Sequence, residues 1–190
     1  MKFDVIIIGG GLAGMTAGEM LQGSGLKCAV IAEGRSLWNV SSKVFEDAGG
    51  EFLAGDRVVS GTFEGNALKS VRTGNLGEFD LEADTFIIAT GKYFSRGLVA
   101  DMDKIYEPVF GLDVDYDTDR SNWFDFNFSG KQNFMEFGVF TDEKSRPSID
   151  GQVIENLYAA GEILPGINCV APDAEQAIRA SVEKVVMIIK

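Results

Sequence analysis

The chain has 190 residues, of which 45% are hydrophobic and 24% charged, a composition typical of one globular domain with a buried core. Its 17 Lys and Arg residues against 29 Asp and Glu residues give a formal net charge of −12, which disfavours nucleic acid and anionic lipid surfaces as partners. There is no histidine, so a Ser-His-Asp triad, a His-ligated metal and a histidyl-linked cofactor are excluded.

The two cysteines, Cys28 and Cys169, make neither a disulfide framework nor a CxxC redox pair, and a reducing cytoplasm suits them best. Cys28 lies in an apolar run and is expected in the core. The first residues lead directly into a short apolar segment, and no run of 18 apolar residues occurs. We therefore expect a cytoplasmic protein without a secretion signal or a membrane span.

The first 33 residues predict a strand, a helix and a second strand. Residues 2–8 (KFDVIII) and 27–32 (KCAVIA) are short apolar runs of the kind that is buried in a parallel sheet. Residues 12–21 between them have helical spacing of apolar side chains, and Gly23 and Gly25 follow as a stop.

A β-meander is predicted after a Ser-rich stretch and a short linker at Gly49 and Gly50. Its EGN and TGN turns supply the residues that tolerate positive φ. The three predicted strands are residues 57–62, 67–73 and 77–82, on one face of the sheet. Residues 85–89 predict a separate buried strand that runs into Thr90 and Gly91.

The second half of the chain has fewer clear patterns. Residues 101–132 are acidic and aromatic without a clear period, and residues 157–160 (LYAA) predict a short strand. Residues 173–189 predict a helix capped by Asp173. Its apolar face would consist of Ala177, Ile178, Val182, Val185, Val186 and Ile189.

A glycine motif, Gly9-x-Gly11-x-x-Gly14, lies between the first strand and the first helix. The first glycine permits a tight turn, the second lets a pyrophosphate reach the backbone, and the third lets helix and strand pack closely. The helix N-terminus offers free N–H groups and a positive dipole to phosphates. Glu33 ends the second strand, where it can accept hydrogen bonds from ribose hydroxyls. The pattern predicts a dinucleotide site built from backbone.

Two further motifs occur in the chain, TFIIATG at residues 85–91 and IENLYAAGE at residues 154–162. With the glycine motif they resemble the three-part signature of FAD-dependent oxidoreductases. The resemblance implies that Glu162 contacts the flavin ribitol. It also implies that the last helix points its N-terminus at the flavin ring, with the backbone of residues 170–173 beside it.

Longer phrases are similar to the B subunits of anaerobic glycerol-3-phosphate dehydrogenases. They are FDVIIIGGGLAG, EGRS with the following SS, ATGKYFSRGLVAD, EPVFGLDV, FGVFTDEKSRPSIDGQVIENLYAAG and the LPG after it. The resemblance implies a flavoprotein subunit with FAD or FMN, acting with a second flavoprotein subunit and a membrane-anchoring iron–sulfur subunit. In anaerobic respiration that family oxidises glycerol 3-phosphate to dihydroxyacetone phosphate and passes electrons toward quinone. The resemblance also implies that a partner holds the chain at the inner face of the cell membrane.

The chain departs from that family in two places. It has about half the expected length, because the region after Ser42, where a substrate-covering domain would sit, is reduced to a few residues. The Gly-rich segment expected before the last helix is replaced by NCVAPDAE. We expect a single domain over residues 1–190, with a dinucleotide half at 1–42, a meander and ATG strand at 50–91, and a C-terminal half at 92–190.

The predicted fold is α/β, a Rossmann-like FAD-binding domain with a central parallel sheet and a β-meander and without a separate substrate domain. FAD is favoured over FMN because FMN has no second ribose for Glu33. The predicted cofactor-binding residues are Gly9, Gly11, Leu12, Ala13, Gly14, Glu33, Gly34, Arg35, Ser41, Ser42, Val58, Ala89, Thr90, Gly91, Gly161, Glu162 and Ala171. No metal ligand is predicted, and no residue is an obvious general base. The lack of an obvious general base does not exclude an oxidoreductase, because hydride chemistry resides mainly in the cofactor.

Four polar residues have two interpretations each. Cys169 is either packed, which we favour, or faces the flavin as a covalent attachment point or redox relay. Lys92 either stabilises negative charge on a reduced flavin or is solvated. Arg96 and Arg146 either orient an anionic substrate or the flavin, or are solvated. A set of aromatic residues is expected to pack in the core and at its edge rather than dock a partner or line a pocket. These residues are Trp123, Phe124, Phe126, Phe128, Phe134 and Phe137.

The leading hypothesis is a flavoprotein oxidoreductase subunit of this kind. One alternative is a flavin-binding electron-transfer or regulatory module that catalyses nothing on its own. Another is a structural partner that has kept its glycines without a cofactor.

Overall fold

One sheet of seven strands organises the computed structural model, which describes residues 2–34, 39–127 and 129–190, with residues 39–41 by their backbone alone. The strands of this sheet are β1 (Lys2–Ile8), β2 (Cys28–Ala32), β3 (Glu51–Ala54), β4 (Val58–Glu64), β5 (Ala67–Thr73), β6 (Asp80–Ile88) and β13 (Leu157–Ala159). The helices are α1 (Leu12–Gln22), α2 (Asn39–Asp47) and α3 (Ala174–Ile189). None of the helices in these ranges is long and apolar enough to cross a membrane.

Parallel pairing brings four strand ends to one edge of the sheet. The strand order is β3-β2-β1-β6-β5-β4, and β13 also pairs with β6. Strands β3, β2, β1, β6 and β13 are parallel, whereas β4 and β5 extend the sheet in antiparallel pairing. The carboxyl ends of β1, β2, β6 and β13 therefore meet, the usual position of a ligand crevice in such sheets. The predicted α/β fold with a parallel sheet and a meander is confirmed.

The last meander strand and the following buried strand are one element, so the prediction of two strands at 77–82 and 85–89 is wrong. β6 runs from Asp80 to Ile88 and pairs with β1 from Lys2 opposite Glu82 to Ile8 opposite Ile88. Its first residues also pair with β5 and its last with β13. Because β1 supplies hydrogen bonds along the whole stretch, the backbone stays extended through residues that suggest a break in the sequence.

Two apolar clusters cover the two faces of the sheet. On one face, Val5 and Ile7 of β1 belong to a cluster with residues of α1, α2 and α3. On the other, Ile6 and Ile8 belong to a cluster that includes Leu68 and meander neighbours. Successive residues of a strand point to opposite faces, so a continuous apolar run such as KFDVIII serves both clusters.

Helix α2 and strand β3 occupy the region that the sequence suggested was a Ser-rich stretch and a linker. Phe45 of α2 is fully buried, and Gly50 lies against its ring so closely that an added Cβ would overlap it. β3 pairs with β2 over four residues and is only half-buried. A single buried aromatic residue in α2, with three half-buried positions and one exposed position in β3, leaves too little periodicity for a prediction.

The C-terminal helix has the predicted apolar face but not the predicted cap. Its six expected residues are buried or half-buried, with Val182, Val185 and Val186 inside the core. Asp173 precedes α3, yet its side chain makes no capping hydrogen bond. With φ −100° and ψ 7°, its backbone lacks the extended conformation that aims an N-cap side chain at the first turn.

Short elements fill the segment between β6 and β13. The two-residue strands are β7 (Val99–Ala100), β8 (Ile105–Tyr106), β9 (Val114–Asp115), β10 (Gly138–Val139), β11 (Ser148–Ile149) and β12 (Gln152–Val153). The 3-10 helices Arg120–Asn122 and Asn133–Glu136 lie in the same segment, and a third, Gly161–Ile163, follows β13. The carboxylate of the buried Glu107 accepts hydrogen bonds from the N–H groups of Val109 and Phe110 at 2.9 and 2.7 Å, which anchors this loop. Burial raises the pKa of Glu107.

The aromatic residues of this segment divide into two groups. Trp123 is buried, and Phe134 and Phe137 are half-buried against the core, as predicted. Phe124 and Phe126 are 47% and 89% exposed, so the packing prediction is wrong for them. The two rings contact each other edge to face rather than the core, because the segment that carries them lies outside the sheet. Phe128 lies outside the described residues.

Cys28 should make the fold sensitive to alkali. The thiol is fully buried in β2, and burial raises its pKa from 9.0 to about 12. Its contribution to stability is full below about pH 9 and is lost as pH rises toward the folded-state value. Between about pH 9 and 11 the free energy of unfolding should fall more steeply in the wild type than in Cys28→Ala, by about 1.4 kcal/mol per pH unit. Denaturant titrations at several pH values measure both slopes, and parallel slopes would contradict the prediction.

Candidate functional site

A cavity of about 460 Å³ lies at the carboxyl ends of the parallel strands. Residues from the turns after β1, β2 and β6, from the start of β4 and from the segment after β13 line it. Of the predicted site residues, it brings together Gly9, Gly11, Leu12, Ala13, Glu33, Gly34, Val58, Ala89, Thr90, Gly91 and Glu162. Apart from Gly34 and Val58, these residues come from three motifs that are far apart in the sequence.

The first glycine turn is held by close backbone approaches. Gly9 has φ +111°, and an added Cβ there would overlap the carbonyl oxygen of Ala89 at the end of β6. An added Cβ at Gly14 would overlap the carbonyl oxygen of Gly9. Around Gly11, by contrast, an added Cβ would meet nothing within 4 Å. Two of the glycines are therefore required by the fold, and the middle one leaves open space beside the helix.

The N-terminus of α1 faces this open space with its backbone donors free. Gly11 is the N-cap residue and has no side chain to accept from the first turn, and no acidic residue lies in that turn. The first N–H groups of a helix have no acceptor within the helix. Leu12 and Ala13 line the cavity, so these donors and the positive end of the helix dipole are available to a phosphate.

The turn after β6 contributes an unpartnered hydroxyl. Thr90 Oγ1 is buried and has no hydrogen-bond partner, the only such side-chain atom in the part of the chain that the structure describes. Gly91 has φ +70°, and the loop returns so that an added Cβ at Gly97 would overlap the Gly91 carbonyl oxygen. The Gly97 N–H donates to the carbonyl of Lys92 at 2.9 Å. The loop of residues 91–97 is therefore folded tightly beside the cavity.

The segment after β13 places Glu162 opposite this loop. Gly161 has φ +83° and lies against Ala13 of α1 so closely that an added Cβ would overlap it. Its N–H donates to Ser181 Oγ of α3 at 2.9 Å. Glu162 lines the cavity, and its Oε2 would lie 3.5 Å from a Cβ added at Gly91.

An acidic and a basic residue meet at the other end of the cavity. Glu33 Oε1 is 3.7 Å from Arg57 Nη1, and both side chains are about half exposed. The carboxylate of the buried Asp56 accepts from the N–H groups of Arg57 and Asn75 at 2.8 and 3.0 Å, which fixes the backbone there. Asp56 and Arg57 line the cavity but were not predicted from sequence, since no motif marks them.

Three polar side chains meet beside the Glu162 end. Lys92 is 2% exposed, and its Nζ donates to the carbonyl oxygens of Met135 and Ile167 at 2.5 and 2.8 Å. Burial lowers its pKa to about 8, so the solvated interpretation is wrong. Cys169 is exposed rather than packed, because it lies in the loop before α3. Partial burial, together with a hydrogen bond to Glu162, raises the pKa of its thiol to about 11.

The two arginines singled out from sequence lie in different settings. Arg96 is exposed, lines the cavity and has φ +61°. Arg146 lies away from the cavity, where Nη2 contacts Asp142 Oδ2 at 2.7 Å. Its guanidinium is therefore engaged within its own loop. Arg96 remains the candidate for contact with an anion.

Four of the predicted site residues that the structure describes do not line the cavity. Gly14 and Gly161 lie beneath it as packing positions. Ser42 is half-buried in α2, and Ala171 is half-buried in the loop before α3. Arg35 and the side chain of Ser41 lie outside the described residues.

Comparison with known proteins identifies the family. The model of the FAD binding domain family matches residues 4–45 and 33–174. The B subunit of anaerobic glycerol-3-phosphate dehydrogenase from Vibrio vulnificus is 45% identical over 131 residues, 67% of this chain and 30% of that protein. The protein of the same name from Haemophilus influenzae is 36% identical over 131 residues, 66% of this chain and 30% of that protein. The match thus spans less than a third of these relatives.

Solved structures share the fold at low identity. A thioredoxin reductase from Gloeobacter violaceus superposes with a TM-score of 0.59 and 12% identity, over 99% of this chain and 94% of that chain. A thioredoxin reductase from Streptococcus pyogenes gives a TM-score of 0.60 and 14% identity, over 99% and 97%. The family implies FAD, and the cavity fits it through the free donors of α1, the space at Gly11 and the unpartnered Thr90 hydroxyl.

Gly11→Val should abolish FAD binding and leave the fold intact. The backbone at Gly11 (φ −78°) accepts any residue and nothing lies within 4 Å, so the free energy of unfolding should change by no more than about 1 kcal/mol. The added side chain would fill the space before the helix N-terminus. Visible absorbance and denaturant titration measure the two effects. Gly14→Ala, which overlaps backbone, should instead lose the fold, and FAD retained by Gly11→Val would refute this assignment.

Proposed function

Because the chain belongs to the FAD binding domain family, we propose that it is the FAD-carrying part of an oxidoreductase similar to the B subunit of anaerobic glycerol-3-phosphate dehydrogenase. Its reaction would be the oxidation of glycerol 3-phosphate to dihydroxyacetone phosphate, with electrons passed toward quinone. The observation that carries the proposal is that the glycine turn, Thr90-Gly91 and Glu162 converge on one cavity at the sheet edge.

The residues would divide the cofactor between them. Backbone N–H groups at the start of α1 would bind the pyrophosphate, and Glu33 would accept from the adenosine ribose. Glu162 would lie at the ribitol, with the Thr90-Gly91 turn under the middle of the cofactor. When bound, FAD supplies hydride chemistry that no side chain of this chain provides. Val58, Arg35, Ser41 and Ser42 would run beside the cofactor.

A cation is available for an anionic substrate. Arg96 lines the cavity, is exposed, and forms no ion pair with the residues that the structure describes. Arg57, the other lining arginine, already contacts Glu33. We assign to Arg96 the role of attracting the phosphate of the substrate or of the cofactor, since unpaired guanidinium groups bind phosphate bidentately.

Partners are proposed from the relatives alone. The matching proteins are named as one subunit of a dehydrogenase, which supports work in a complex. The specific partners would be a second flavoprotein subunit and a membrane-anchoring iron–sulfur subunit. The chain would then be cytoplasmic, held at the inner face of the cell membrane by that partner. The division into 1–42, 50–91 and 92–190 stays a prediction.

An assay of dye reduction, with the substrate as electron donor, tests the proposal. Under anaerobic conditions, the FAD-loaded chain should reduce a redox dye when glycerol 3-phosphate is added. Addition of glycerol should give no dye reduction, because glycerol lacks the phosphate that Arg96 would attract. Gly11→Val provides the matched control without cofactor. Bound FAD without dye reduction would favour a binding module that catalyses nothing alone. Failure to take up FAD would overturn both.

A further inference from the structure

Lys92 is a buried cation with no counter-ion in contact. Its side chain is 2% exposed, and it takes part in no ion pair among residues 2–34, 39–127 and 129–190. Both of its hydrogen bonds go to backbone carbonyl oxygens, those of Met135 and Ile167. An ammonium removed from water is costly unless it is well paired. Within the described part of the chain, only the dipoles of these two carbonyl groups compensate the positive charge of Lys92 by direct contact.

The position of Lys92 joins three segments at one end of the cavity. It follows Gly91 in the turn after β6, and it contacts the 3-10 helix Asn133–Glu136 and the loop before α3. The Gly166 N–H donates to the carbonyl of Glu136 at 2.8 Å, which links the same two segments directly. The loop of residues 91–97 and the segment carrying Glu162 are thus held in a fixed relation.

The charge of Lys92 acts on the Glu162 side of the cavity. Glu162 Oε2 would lie 3.5 Å from a Cβ added at Gly91, the residue before Lys92, so this carboxylate lies beside the turn that carries the ammonium. Burial lowers the pKa of Lys92, and Glu162, followed by Glu136 and Cys169, opposes that shift. Glu162 lines the cavity, whereas Lys92 does not touch it. Any effect of Lys92 on a bound group is therefore exerted through the electric field and through Glu162, at low local dielectric.

We infer that Lys92 is a positioning residue that fixes the Glu162 end of the cavity and raises the reduction potential of the FAD bound there. The inference rests on the proposed function. Reduction adds negative charge to the bound group, and a fixed positive charge in a dry site stabilises the more negative state. A residue that served the fold alone would change the affinity for both oxidation states equally.

Redox titration of matched variants tests this inference. Lys92→Met keeps the length of the side chain and removes the charge, whereas Lys92→Arg keeps the charge. The ratio of the affinities for reduced and oxidised FAD should be about tenfold lower in Lys92→Met than in the wild type. This change lowers the two-electron reduction potential of bound FAD by about 30 mV. Lys92→Arg should keep most of the wild-type potential. Unchanged potentials in both variants, with FAD bound, would overturn the inference and leave the proposed function standing.

A measurement on the wild type decides the matter if Lys92→Met does not fold. The titratable groups that face Lys92 are Glu162, Glu136 and Cys169, and the pKa of that thiol, about 11, lies well above the pKa of Lys92, about 8. The potential of bound FAD relative to free FAD should therefore fall as Lys92 loses its proton between about pH 7 and 10. A constant difference would overturn the inference. A wild type that binds no FAD would overturn the proposed function as well.

Discussion

The close approach of the glycine turn to the neighbouring strand is the constraint on which the cavity depends. Gly9 lies so near the Ala89 carbonyl, and Gly14 so near the Gly9 carbonyl, that no Cβ fits at either position. Because β1, β6 and β13 are parallel and in register, these contacts place the start of α1, the Thr90 turn and Glu162 at one sheet edge. The site is thus a consequence of backbone packing before any side chain contributes.

A backbone site reconciles an acidic chain with an anionic cofactor. The formal net charge is −12, yet the first turn of α1 carries no acidic residue and presents free N–H groups to the cavity. Charged side chains serve the two ends instead. Glu33 with Arg57 lies at one end, and Glu162 lies at the other, where the buried Lys92 faces it. In the binding mode proposed here, different parts of the structure would therefore supply affinity for phosphate and tune the redox group.

Much of the fold could be predicted because its central strands are buried on both faces. The runs at 2–8 and 27–32 and the glycine turn between them have patterns that local sequence determines. Continuity of β6 could not be predicted, since it depends on β1 as a partner. The burial of Lys92 could not be predicted from the neighbouring sequence either, because its two hydrogen-bond acceptors lie 43 and 75 residues away in the chain. The motifs could therefore be identified from the sequence, whereas the burial of the charged side chain beside them depends on tertiary contacts.

The most direct test is the visible absorption spectrum of the purified protein, followed by chromatography of the compound that heat releases. The account predicts the bands of an oxidised flavin and the release of FAD, because Glu33 has a ribose to bind only in the dinucleotide. Release of FMN alone would contradict the role of the adenosine end. A colourless protein that also fails to take up added FAD would contradict the account as a whole.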